Sequence, residues 1–181
     1  TSVRILYDEQ YLYIGFICID SEPDLIFAEV SEKDSPDLRF DDSVWVLLDI
    51  FENLDAYFYF GMNVLGIKGD GQLKKKDLFH EPQWDGEWEG ASKRTEDGWT
   101  AELSIDLNFL MYSPREGETI RLSLSRIVPR LEATLLTEPL DPAFRLSNMG
   151  GLKQIGFTFP EKKIRIAPYV LPKAAIQGDF D

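Results

Sequence analysis

Apolar residues in this chain recur at every second position, in short runs that stop at Gly, Asp, Asn or Pro. That rhythm belongs to strands, whose side chains alternate between two faces, and not to helices. Residues 3–7 and 11–19 form a first hairpin through Asp8-Glu9-Gln10. Both faces of 11–19 are apolar, Leu12/Ile14/Phe16/Cys18 against Tyr11/Tyr13/Ile17/Ile19, which predicts a strand covered on both sides at the centre of a sheet. Further strands are expected over 43–50 and 56–64, with a ragged one over 66–72; 24–30 reads as strand in preference to helix, and 73–83 as a long loop. The clearest hairpin joins 88–95 to 98–105 through Glu96-Asp97-Gly98, an Asp-Gly turn. Residues 108–112 read as one helical turn, 119–128 pairs with 131–137, and 152–159 closes the set. Many short strands without a long helix predict an all-β fold: an antiparallel β-sandwich, immunoglobulin-like or jelly-roll-like, with long connecting loops. The domain is expected over 1–160, and 161–181 reads as an exit segment toward a following region, beginning with another strand-like run over 164–169.

Size and charge narrow the function. A chain of 181 residues suits one domain with a real core. The net charge of −13, from 32 acids against 19 bases, repels phosphate backbones and anionic lipid, so nucleic acid is not an expected partner. The basic run Lys74-Lys75-Lys76 is short, bracketed by Asp70 and Asp77, and reads as a solvated loop. Cys18 has no second cysteine to pair with and sits in an apolar run, as a small buried hydrophobe does. No run of about 18 apolar residues is present to make a membrane helix. The start at Thr1, directly before strand-like sequence, reads as that of a fragment or mature piece.

Catalytic chemistry finds little support. The one histidine, His80, lies beside Phe79 and Glu81 without a Gly-x-Ser-x-Gly elbow, and Gly66-Ile67-Lys68-Gly69-Asp70-Gly71 has neither Walker nor Rossmann spacing. One histidine and one cysteine do not supply a zinc site. Calcium asks for clustered hard oxygens, and Asp41-Asp42 are the candidate ligands, with turn-forming acids as the plainer alternative. The aromatics are more informative. Trp84-Asp85-Gly86-Glu87-Trp88 sets two indoles around a turn in polar surroundings, which suits stacking on sugar rings or, equally, capping of an open sandwich end. Trp45 and Trp99 lie in strong strands and are expected in the core. Glu102 and Arg126 would pair at the surface if their strands share a sheet face.

The order VRILYDEQYLYIGFICID, DDSVWVLLDIFEN, AYFYFGMNVLGIKGD, WDGEWEGASKRTEDGWTAELSIDL and RLSLSRIVPR resembles the family 9 carbohydrate-binding-module-like domain over residues 2–159. More narrowly, it resembles the version that precedes an outer-membrane β-barrel region in bacterial envelope proteins. The resemblance implies a β-sandwich, an exported, periplasmic or outer-membrane-associated protein, and glycan or polysaccharide binding, with calcium in some relatives. The family's earlier strand, carrying an Asp-Gly and a Trp, would lie before this chain's first residue. The resulting expectation is a non-catalytic glycan-recognition domain, with Trp84 and Trp88 as stacking surfaces and Asn63, Glu102 and Arg126 as hydrogen-bonding partners. The alternatives are a module that docks on an adjoining β-barrel or envelope partner without sugar binding and, with less support, a glycoside hydrolase-type domain.

Overall fold

Alternation along the strands resolves into two antiparallel sheets whose apolar faces meet. The computed structural model describes residues 1–8, 10–50, 56–74, 77–81, 84–110, 120–136 and 165–169. Its strands are β1 (Ser2–Tyr7), β2 (Tyr11–Ile19), β3 (Ser43–Asp49), β4 (Ala56–Asn63), β5 (Lys68–Lys74), β6 (Asp77–Glu81), β7 (Trp88–Thr95), β8 (Gly98–Asp106), β9 (Arg121–Val128), β10 (Ala133–Leu136) and β11 (Arg165–Tyr169). One sheet has five strands in the order β11-β1-β2-β8-β7, and the other six in the order β10-β9-β3-β4-β5-β6. Val3, Ile5, Leu12, Ile14, Phe16, Leu103 and Ile105 of the first sheet pack against Val44, Val46, Leu48, Phe60, Met62, Leu122 and Leu124 of the second. This is the expected sandwich, and no described helix is long and apolar enough to cross a membrane.

The strand β2 lies at the centre of its sheet as expected, but it is covered on one face only. Leu12, Ile14, Phe16 and Cys18 are buried, while Tyr11, Tyr13, Gly15 and Ile17 are half-buried on the outside. The hairpin β7–β8 forms in the expected register, with Thr95 opposite Gly98. Glu96 and Asp97 make its turn, and Gly98 begins β8 at φ 144°, where any Cβ would strike the Cys18 carbonyl.

Two expectations are corrected. Residues 24–30 are not a strand: Pro23–Leu25 is a 3-10 turn, and the chain from Ile26 onward runs irregularly across the end of the sandwich. Ile26 is buried there because it plugs the gap between the sheets, so its apolar character does not signal pairing. Residues 73–83 are not simply a loop, since β6 adds an edge strand on β5. Residues 107–110 form turns, and the rest of the expected helical turn, like 152–159, lies outside the described residues. The strand-like run expected over 164–169 forms β11, paired antiparallel with β1.

Candidate functional site

On the six-stranded sheet, alternation sends Val44, Val46 and Leu48 inward and leaves Trp45 pointing away from the core. Trp45 stands opposite Gly61 of β4, and Gly61 stands opposite Gly69 of β5. Because Gly61 has no side chain, the six-membered ring of Trp45 (Cε3, Cδ2, Cζ3) occupies the place a Cβ would take. Tyr59, two residues along on the same face, lies in the same way over Gly71. The two rings are 6.1 Å apart at 45°, and both are half-buried. The Trp45 Nε1–H donates to Ser43 Oγ at 2.9 Å, which fixes the indole in its plane. Leu38, from the 3-10 turn Pro36–Phe40, walls one side; a Cβ on Gly69 would stand 2.6 Å from its Cδ1. Ser125 and Ser123 of β9 stand beside Trp45 and Leu47 on the same face of the sheet, and both are buried. A half-buried aromatic platform on a glycine floor can take the C–H face of a pyranose ring.

The residues singled out from sequence are placed otherwise. Trp88 is 5% exposed, and its Nε1–H donates to Asp70 Oδ1 at 3.1 Å. Trp84 is half-buried against Phe58, Phe60 and Phe109. Both indoles meet Phe60 edge-on, at 5.9 and 5.6 Å, so they close the side of the sandwich rather than flank an open slot. Asp70, buried behind them, also accepts from the Gly86 N–H at 2.7 Å and fixes the turn between the tryptophans. Burial raises its carboxyl above the usual range, against the pull of those two donors. Lys33 ties the assembly down through Asp85, with Asp34 and Asp70 each 3.7 Å from its Nζ.

Asn63 is fully buried and saturated: Nδ2 donates to Asp41 Oδ2 and Val30 O, and Oδ1 accepts from the Leu65 and Ile67 N–H groups. It shapes the β4–β5 turn and has no hydrogen bond left for a ligand. Glu102 and Arg126 do not pair, because β8 and β9 belong to different sheets. Glu102 is exposed on the outer face between Gly15 and Ala91. Arg126 is 3% exposed and points inward, where it donates to Ile19 O, Asp20 Oδ2 and Thr1 Oγ1 and so links one sheet to the other.

Asp41 and Asp42 do not assemble a calcium shell between them. The Asp41 oxygens accept from Glu29 N, Val30 N and Asn63 Nδ2, and Asp42 Oδ2 accepts from Phe27 N. Calcium takes six or more oxygens, and among the described residues no cluster of three or more acids, histidines or cysteines is disposed to hold a metal. Burial raises the Asp42 carboxyl, offset in part by the Phe27 N–H and by Arg126 and Arg130. A raised carboxyl favours the protonated folded state, so Asp42 takes stability away as the pH climbs from its ordinary value of 3.8 through the raised one. Asp42→Asn is expected to flatten that part of the stability–pH curve, measured by urea unfolding, and to leave the share due to Asp70 in place.

Sequence reasoning missed Trp45 as a surface residue because alternation separates two faces without saying which one turns inward. The signal that could have shown it is the set Gly61, Gly69 and Gly71, bare positions on the face where Trp45 and Tyr59 lie.

Among solved structures, the chain is similar to a family 9 carbohydrate-binding module from Caldicellulosiruptor kristjanssonii in complex with cellotriose. The two share 13% identity over 89% of this chain and 80% of that one, with a TM-score of 0.55. It is also similar to a module of that family from the same organism in complex with glucose (13% identity, 81% of this chain and 61% of that one, TM-score 0.43). A third similar structure is a candidate carbohydrate-binding protein from Bacteroides uniformis (14% identity, 83% and 72%, TM-score 0.49). No protein-family model and no curated protein matches the chain. The first of these likenesses establishes the shared sandwich fold.

Proposed function

We propose that this chain is a non-catalytic carbohydrate-binding domain that holds a glycan on the outer face of its six-stranded sheet. The observation that carries the reading is the half-buried Trp45 indole, seated on Gly61 and pinned by Ser43, with Tyr59 beside it on Gly71. A ring held in place before the ligand arrives loses little freedom on binding, so its stacking energy is retained as affinity. The fold shared with a module solved with cellotriose supports the same reading and makes a neutral β-glucan oligosaccharide the first probe. The acidic surface agrees with a neutral ligand. A setting in the bacterial envelope, beside a β-barrel region, belongs to the same proposal and draws its support from the sequence resemblance alone.

Isothermal titration tests it with cellotriose and a panel of plant, algal and bacterial glycans. Trp45→Ala is expected to weaken binding at least ~30-fold, the scale of a truncated hot-spot aromatic (about 2 kcal/mol). Tyr59→Ala should weaken it by a smaller factor. Gly61→Ala keeps both rings but lifts the indole off its floor, and should cost roughly tenfold, on the order of 1.4 kcal/mol. Absence of binding across the panel, or full binding by Trp45→Ala, would overturn the reading.

A further inference from the structure

Seven large apolar side chains are exposed among the described residues, and six of them lie at one end of the sandwich. Ile19, Leu25, Phe27, Phe40, Leu65 and Leu131 are 45% to 61% exposed; the seventh, Phe109, is at 38%. The end is the one where β2, β4, β7 and β9 finish and β3 and β8 begin. Backbone hydrogen bonds join the pieces. Phe27 O accepts from Asp42 N, and Asp42 O accepts from Val64 N, next to Leu65. Asp41, next to Phe40, holds Glu29 and Val30. Ile19 and Leu131 flank the Asp20–Arg130 ion pair. Scattered exposed apolar residues are ordinary, but their concentration on one end marks a contact surface.

The charge around this end identifies the partner. Glu22, Asp24, Glu29, Glu96, Asp97 and Glu132 are exposed there. The exposed bases are Arg39, Lys93 and Arg94, of which Arg39 stacks on Phe40 and Arg94 donates to Ile26 O. Arg126 and Arg130 are already paired with Asp20. An apolar centre inside an acidic rim is complementary to an apolar protein segment flanked by Lys or Arg. A second copy of the chain would bring the same acids against these, and an anionic lipid surface would be repelled in the same way.

We infer that this strand-end face is a docking surface for a basic, apolar protein segment, separate from the glycan face and independent of the sugar reading. The buried Asp20–Arg126 and Asp20–Arg130 pairs brace the face from beneath, so it is presented preformed. A peptide with a leucine face and a lysine rim serves as the probe, with the same peptide carrying glutamate in place of lysine as the control, each titrated into the full chain and followed by NMR amide shifts. The lysine peptide should shift the amides of Ile19, Leu25, Phe27, Leu65 and Leu131 and bind several-fold more weakly at raised salt. The glutamate peptide should leave them unmoved. Leu25→Ser and Leu131→Ser, exposed and safe for the fold, should each weaken the lysine peptide about fivefold and leave cellotriose titration unchanged. Equal binding of both peptides, or shifts confined to other surfaces, would overturn the inference. So would concentration-dependent dimerisation lost in Leu131→Ser, which would make the occupant a second copy, or binding to anionic vesicles through these residues.

Discussion

Phe60→Ala is expected to lower the free energy of unfolding by about 3–5 kcal/mol, the range for deleting a buried phenylalanine ring. Phe60 is fully buried in β4, and Trp84 and Trp88 both set their edges against it. A Cβ on Gly86 would stand 3.2 Å from its ring, so the turn between the tryptophans also rests on Phe60. Its loss opens a cavity that those large indoles cannot fill without giving up the Asp70 hydrogen bonds. Urea unfolding followed by tryptophan fluorescence should report both the drop in stability and a changed emission of Trp84 and Trp88. A loss below about 1 kcal/mol would mean that the side of the sandwich is not packed as described.

Arg126→Met should cost a similar amount, about 3–5 kcal/mol, for a different reason. The guanidinium is buried between the sheets and satisfies Ile19 O, Asp20 Oδ2 and Thr1 Oγ1 together. Removing it leaves the Asp20 carboxylate with Arg130 as its remaining cation. Burial works against the ionised Asp20, and hydrogen bonds and charge from Arg130, the Glu22 N–H and Arg126 nevertheless hold its carboxyl below 3.8. A lowered carboxyl supports the fold above pH 3.8 and withdraws that support as the pH falls through the lowered value. In Arg126→Met this acid-side loss should begin at higher pH. The double variant Asp20→Asn/Arg126→Met should recover part of the stability, because the buried Asp20 carboxylate keeps only one of its two cations once Arg126 is gone. Strict additivity of the two single variants, measured by thermal and urea unfolding, would refute the linkage.

The layered architecture was readable because β2, β3, β8 and β9 alternate cleanly and the Glu96-Asp97-Gly98 turn admits one register. Where reading failed, the cause was tertiary. Residues 77–81, with Asp77 and Glu81 at their ends and Lys74-Lys75-Lys76 before them, look like loop, yet β5 offers an open edge and backbone pairing needs no particular side chain. Asn63 and Arg126 look like surface donors in sequence, but both are polar residues consumed internally, one by a turn and the other by the seam between the sheets. The Trp84-to-Trp88 segment drew attention for its polar neighbours, but Asp70 and Lys33, distant in sequence, supply the partners that fold it inward. Trp45 was hidden by the opposite error: its strand is so apolar that an outward indole looks like one more core residue.

The bare backbone beneath Trp45 and Tyr59 has a consequence for how such a surface could diversify. A methyl group added at Gly61 or Gly71 would tilt or raise a ring without altering any atom a ligand meets from above. Ligand preference on this sheet can therefore be retuned from underneath, by one-carbon changes in residues that never touch what is bound.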